Sequence, residues 1–261
     1  MHIIENQVIK MNKSLSSTID HAMEVLKVLA TTPYQYKISE LENRLNIGRT
    51  SISRILLTLE KNNMVIRNLE TKKYKIGPFA YHLGNVYLEN GNYESRVLDI
   101  LAELSNRLKA SSGLAKRDGD EVISIFSVEN YKPFKINYVP GTFFPINRGC
   151  YGKCLMAYHD RDKVKKLINS QSFEKICDNT ITDPKELLKE YDRIKQQGFV
   201  ISVNETFPLA IGVGIPIPSK DGKVRHCVAV SFIKGDHYLE KIEECKKILF
   251  EYKEELSNLI P

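Results

Sequence analysis

Two groups of residues in this chain are of the right type and spacing to do chemistry. The first is Arg49, Thr50, Ser51, Ser53 and Arg54; the second is the basic run Arg67, Lys72, Lys73 and Lys75. A guanidinium can donate two hydrogen bonds to the edge of a guanine, and short hydroxyl side chains let a helix sit deep in the DNA major groove. Lysines and arginines on a following hairpin can reach phosphates or the minor groove. The chemistry suggested is therefore recognition of double-stranded DNA. A small helical subdomain with a solvated basic face, or a winged helix that binds protein as an interaction scaffold, are the competing readings.

Covalent chemistry finds much less support. The chain has no G-x-S-x-G, no H-E-x-x-H, no phosphate-binding G-x-x-x-x-G-K-[ST] loop and no G-x-G-x-x-G. Gly212-Val213-Gly214 is a fragment between expected strands. Cys150 and His159 could be drawn as a dyad, but nine residues along a helix are two and a half turns apart, about 13 Å. The reading is of a protein that is not an enzyme and needs no cofactor. Cys150 and Cys154 fall one helical turn apart and could join His159 or His226 around a metal, or simply be small packing residues. With five cysteines and no C-x-x-C pair, reduced thiols are expected rather than a disulfide framework.

Which elements would hold the DNA-reading groups? Ser17 can cap a helix, with Asp20 three residues on and Ala22, Val25, Leu26 and Leu29 on one face. Pro33 ends that pattern. Ser39 and Glu42 match a capping box for a second helix carrying Leu41 and Leu45. Asn46-Ile47-Gly48 reads as a tight turn in which Gly48 takes the unusual backbone conformation. A third helix then runs from about Arg49 to Asn62, with Ile52, Ile55, Leu56 and Leu59 as its buried stripe and the arginine–hydroxyl cluster opposite. Its N-terminus would also favour a phosphate. Residues 65–76 read as a basic hairpin, which makes the whole a winged helix-turn-helix.

Charge and composition agree with this. The chain has 261 residues, 42% hydrophobic and 27% charged, as expected of a globular protein, with a net charge of +6. Residues 1–92 carry 12 Lys/Arg against 8 Asp/Glu, so most of the positive excess lies in the shorter segment. No run approaches the length of a transmembrane helix, and the N-terminal MHIIENQVIK lacks the apolar core of a signal peptide, so a cytoplasmic protein is expected. The first ten or so residues read as a mobile arm. The cluster Glu89-Asn90-Gly91-Asn92 marks the boundary between two domains.

Beyond that boundary helices and strands alternate. Val97, Leu98, Leu101, Leu104 and Leu108 form a helical stripe. Residues 121–126, 211–217 and 226–233 read as strands, the last two joined by the turn Ser219-Lys220-Asp221-Gly222. A helix over 184–197 ends at Gly198.

At this point the residues resemble a known family. LENRLNIGRTSISRILLTLEKNNMVIRN followed by KKYKIGP is similar to the N-terminal domain of the isocitrate lyase regulator (IclR) family. GTFFPINRGCYGKCLMAY, ITDPKELLKEYDRIKQQGFVISVNET and IGVGIPIPSKDGKVRHCVAVSF resemble, in the expected order, that family's glycine loop and helix, its helix–turn–strand, and its closing strand pair. The resemblance implies an α+β chain: a winged helix-turn-helix over 15–77, a linker helix and boundary turn over 78–92, and a GAF-like antiparallel-sheet effector-binding domain over 93–261. It also implies a homodimer or dimer of dimers on a pseudo-palindromic operator, with a small-molecule effector. The family's pocket carries over to Cys150, Tyr151, Gly152, Ser202, Gly212, Ser231 and Ile233, each of which could instead serve core packing or turn geometry. Where members that bind small keto acids offer an acidic residue, a cysteine and two serines, this chain has Ser202, Gly212, Ser231 and Ile233. The implied pocket is roomier at Gly212, more apolar at Ile233 and lined by the Tyr151 ring, favouring a larger or partly apolar ligand over a tiny carboxylate.

Overall fold

The computed structural model describes residues 17–88, 94–129 and 140–260. The expected N-terminal arm and the boundary turn at 89–92 lie outside the described residues. The chain divides into two units between Asn90 and Gly91.

In the first unit, α1 (Ser17–Leu29), α2 (Ile38–Leu45) and α3 (Arg49–Lys61) pack around Val25, Leu29, Leu41, Ile52, Ile55 and Leu56. The strands β1 (Val65–Arg67) and β2 (Tyr74–Ile76) follow as an antiparallel hairpin, and then α4 (Pro78–Leu88). Val65 and Tyr74 turn inward to close the core, while Ile66 and Lys75 face out, as a period of two requires. Tyr36 adds a short third strand: its backbone exchanges hydrogen bonds of 3.0 and 2.8 Å with Tyr74.

Three local expectations are corrected here. Ser17 is already the first helical residue of α1. Ser39 and Glu42 form no capping box, because the helix starts at Ile38 and Ser39 is already inside it. Lys37 stands at the N-cap, where its ammonium cannot accept a hydrogen bond, and only the return bond is made, the Glu40 carboxylate accepting from the Lys37 N–H at 2.5 Å. Glu42 turns instead towards the next helix. The left-handed residue of the connecting turn is Asn46 (φ 53°), whereas Gly48 has an ordinary φ of −57° and stands at the N-cap of α3. Asparagine tolerates this conformation better than most side chains.

The second unit begins with α5 (Glu94–Leu108), followed by β3 (Ser111–Asp118), β4 (Glu121–Val128), α6 (Cys150–Ala157), α7 (Arg161–Asn169), α8 (Pro184–Gln197), β5 (Val200–Val203), β6 (Ala210–Pro218), β7 (Val224–Ile233), α9 (Tyr238–Glu251) and α10 (Lys253–Leu259). The five strands form an antiparallel sheet in the order β4-β3-β7-β6-β5. Cys227 and Ala229 of β7 pack with α6 and α8 on one face; the alternate residues Val228 and Val230 therefore point to the other. The α5 stripe is Val97, Ile100, Leu101, Leu104 and Leu108. Leu98, expected in it, is 38% exposed, one residue out of phase with the core.

Chain ends of the elements follow their chemistry. Asp183 caps α8 by accepting from the Lys185 and Glu186 N–H groups at 2.8 and 2.9 Å, Pro184 occupies the first turn, and Gly198 closes the helix at φ 76°. Asp160 caps α7 in the same way. The turn between β6 and β7 closes with Gly222 N–H donating to Ser219 O at 2.8 Å.

Candidate nucleic-acid interface and effector pocket

The α3 helix is anchored by Ile52, Ile55 and Leu56, which leaves Arg49, Thr50, Ser51 and Arg54 exposed and Ser53 half-buried. Thr50, Ser53 and Arg54 share the side of α3 opposite the buried stripe, while Arg49 and Ser51 flank it at the start of the helix. One detail changes the expected electrostatics. Glu42 Oε1 accepts from the Arg49 backbone N–H at 3.2 Å, so a carboxylate of α2 already occupies the start of α3. A phosphate there would have to displace it.

The hairpin is shaped by Asn68. Its side-chain oxygen accepts from the Glu70 and Thr71 N–H groups at 2.9 Å each, and its backbone pairs with Lys72 and Lys73. Lys72 takes a left-handed φ of 59° and is exposed, Lys73 is half-buried, and Lys75 is exposed. Arg67 is also half-buried, its guanidinium 5.6 Å from the centre of the Tyr74 ring. This cation–π contact holds Arg67 against the wing's own core, so its reach is shorter than that of Lys72.

In the second unit a cavity opens where the start of α6 faces β5, β6 and β7. It is partly open to solvent. Five of the seven expected residues line it: Cys150, Tyr151, Ser202, Gly212 and Ser231. Gly152 and Ile233 do not. Gly152 is a close-approach glycine, because a Cβ there would lie within van der Waals overlap of the Pro145 carbonyl oxygen, at 1.9 Å. Ile233 pairs with Ala210 at the end of the sheet and is 42% exposed.

The remaining lining is Gly149, Thr206, Phe207, Ala210, Ile211, Ala229 and Val230. Thr206 and Phe207, in the connection between β5 and β6, were missed from the sequence; their closeness to Ser202 along the chain is the signal that could have found them. Among the described residues, the cavity is lined by no charged side chain.

Two expected shape features are also corrected. Gly212 leaves no extra room: the position its Cβ would take is filled by the Cys150 thiol, with Sγ 2.7 Å away. The Tyr151 ring does not spread over the cavity. It packs on Phe144 with ring centroids 4.6 Å apart, and its hydroxyl lies over Gly113 of β3. Burial pushes the Cys150 thiol far above its ordinary range, with Lys153 opposing only in part. Held neutral in this way, the thiol presents a weakly polar wall to the cavity. Cys227, buried in the same core as Cys154, is raised chiefly for the same reason. His159, beyond the end of α6, pairs with Asp120 at 2.8 Å rather than with a cysteine.

Beneath the cavity lies a charged cluster. Lys153 is fully buried, and its ammonium donates to Glu205 Oε1 (2.5 Å), Glu190 Oε1 (3.0 Å) and the Ile201 carbonyl (3.2 Å). Burial alone would lower the Lys153 pKa; the two carboxylates outweigh it and raise it. Burial would raise Glu190, but Lys153 and Arg193 bring it below its ordinary range. Glu205 also accepts from the Gly149 N–H at 2.9 Å, which ties the first turn of α6 to the β5–β6 connection across the cavity wall. A lysine placed in the GCYGKC run is visible in the sequence; its burial between two distant glutamates is not.

Comparison with known proteins agrees with both halves. Residues 18–68 match the IclR helix-turn-helix domain, and residues 86–258 match the bacterial transcriptional regulator IclR C-terminal domain. The chain is 25% identical over 239 residues to the transcriptional regulator KdgR of Escherichia coli, covering 89% of this chain and 90% of that one. A solved IclR regulator from Alicyclobacillus acidocaldarius superposes with a TM-score of 0.79 at 24% identity, covering 95% of this chain and all of the other. An IclR homologue from Microbacterium hydrocarbonoxydans, solved in complex with 4-hydroxybenzoate, does so with a TM-score of 0.75 at 16% identity, covering 92% and 99%. At those identities the two structures speak for the fold alone. With a helix-turn-helix whose polar face is exposed, a sheet domain with an uncharged cavity, and family matches that span both, the chain belongs to the IclR family of ligand-responsive, DNA-binding transcription regulators.

Proposed function

We propose that this protein is a cytoplasmic repressor that binds a pseudo-palindromic operator as a dimer or dimer of dimers and changes its affinity when a small molecule enters the cavity beside α6. The observation that carries the reading is the α3 face of Arg49, Thr50, Ser51, Ser53 and Arg54, followed by a wing bearing Arg67, Lys72 and Lys73. In this reading residues 15–77 bind DNA, 78–92 connect, and 93–261 hold the effector. Two-fold pairing is supported by α4, where Phe79, Leu83, Val86 and Tyr87 recur on one helical face and are each more than 40% exposed.

The effector contacts would come from Ser202, Thr206 and Ser231 hydroxyls, the Cys150 thiol and the Phe207 ring. That lining suits a small, partly apolar molecule. The ligand named for the Microbacterium homologue, 4-hydroxybenzoate, is of that kind.

Selection of bound genomic fragments tests the DNA half. A shared palindrome is expected, bound with an affinity that falls steeply as salt rises. Arg49→Ala and Arg54→Ala should each cost about 1–3 kcal/mol if each loses a base contact. Enrichment of no common sequence would overturn the proposal.

A further inference from the structure

One side chain on the polar face of α3 is out of character with its surroundings. Residues 50, 53, 54, 57, 58 and 61 share the side of the helix opposite the buried Ile52, Ile55 and Leu56. Five of them are Thr50, Ser53, Arg54, Thr58 and Lys61. The sixth, Leu57, is 57% exposed. It stands one turn beyond Ser53, between the exposed cations Arg54 and Lys61. Its neighbour Thr58 donates its hydroxyl proton to the Arg54 carbonyl at 3.0 Å, so that group is turned back on the helix. An apolar side chain set among cations matches a surface that is negatively charged overall yet offers one apolar group at a fixed point. The major groove does this: its only apolar feature is the 5-methyl group of thymine. A protein partner would have to be acidic around a single small apolar contact.

We propose that Leu57 reads a thymine methyl at one position in each operator half-site, and so sets a preference for an A·T pair there. The inference rests on α3 being the recognition helix. Its test uses the full chain and the genomic fragment that binds it best. In synthetic duplexes of that fragment each thymine is replaced in turn by deoxyuridine, which removes only the methyl. Binding is measured by fluorescence anisotropy for the wild type and for Leu57→Ala, whose exposed site carries little folding risk.

At one symmetric pair of positions the wild type should bind the deoxyuridine duplex about fourfold more weakly per half-site, the loss expected for one buried methyl. Leu57→Ala should bind the thymine duplex more weakly by a similar factor and be indifferent to the methyl at that position alone. Two results would overturn the proposal while leaving α3 as the DNA reader: a wild type indifferent to every deoxyuridine, or a variant that keeps the wild-type discrimination. A change in sedimentation of Leu57→Ala with unchanged discrimination would also overturn it, by assigning Leu57 to a protein contact. Failure to enrich any operator would remove the recognition-helix reading itself.

Discussion

Replacing Gly212 with alanine puts a methyl where the Cys150 thiol already sits. The new Cβ would stand 2.7 Å from Sγ, but 3.8 Å from Cys150 Cβ and 3.9 Å from Ser202 Cβ. Non-bonded heavy atoms prefer about 3.5–4.0 Å, so only the sulfur is in the way, by about 1 Å. Overpacking of this kind costs about 1–3 kcal/mol, and exchanging glycine for alanine within a strand returns about 0.5–1 kcal/mol, leaving a net loss of about 1–2 kcal/mol. Cys150→Ala alone leaves a gap beside the cavity and should cost about 1 kcal/mol, a typical figure for a single substitution. In the double variant the methyl of residue 212 moves into the space the sulfur leaves. Summed losses would predict about 2–3 kcal/mol, yet the double variant should lie within about 0.5 kcal/mol of wild type, a coupling near 2 kcal/mol. Urea unfolding followed by far-ultraviolet circular dichroism measures all four proteins. Losses that simply add, to within about 0.3–0.5 kcal/mol, would refute the claim that thiol and glycine share one space.

Two further substitutions probe the groups buried around this sheet. Lys153→Met should destabilise by about 3–5 kcal/mol, because it leaves a carboxylate buried without its cation; Glu190 keeps Arg193 at 2.7 Å, so the stranded group is Glu205. Lys153→Met with Glu205→Gln should recover part of that loss in thermal unfolding, and no recovery would show that the penalty is packing rather than charge. His226 is 2% exposed with neither ring nitrogen partnered, and burial, reinforced by Lys116 and Arg225, lowers its pKa to about 4 from 6.5. The unfolded chain therefore binds the proton more readily between those values, so stability is full above pH 6.5 and falls as the pH drops towards 4, by about 3 kcal/mol in total. The wild type minus His226→Leu difference in unfolding free energy should follow that curve; a difference independent of pH would contradict it.

The N-terminal half was legible because its signals are local. A period of 3.6, a turn and a basic alternating stretch identify α1 to α3 and the wing without knowledge of any distant contact. What failed there was the detail of the helix ends: Ser17 lies inside α1 instead of capping it, Asn46 and not Gly48 takes the left-handed turn, and Ser39 falls inside α2, so its spacing to Glu42 makes no capping box. Spacing alone does not say where a helix starts; the position of Leu41 in the core constrains it, since it fixes the phase of the helix.

In the sheet domain the corresponding decision is never local. The strand β3 runs Ser-Ser-Gly-Leu-Ala-Lys-Arg-Asp, buried from Ser112 to Ala115 with no apolar alternation to announce it. It can be that small because Tyr151, from a helix far along the chain, lies over Gly113 and supplies the missing bulk. Gly212 and Gly152 make the same point about the cavity. A glycine states that a Cβ is absent, not what stands in its place. At Gly212 that is a cysteine thiol, at Gly152 a carbonyl of the preceding loop, and at Gly113 a tyrosine hydroxyl. Three glycines that could each have meant space for a ligand are therefore contacts between α6 or Tyr151 and the backbone around them. The room that remains lies between them, against Ser202, Thr206, Phe207 and Ser231. The shape of the cavity follows from how closely α6 approaches the sheet, and that approach is set by these glycines together.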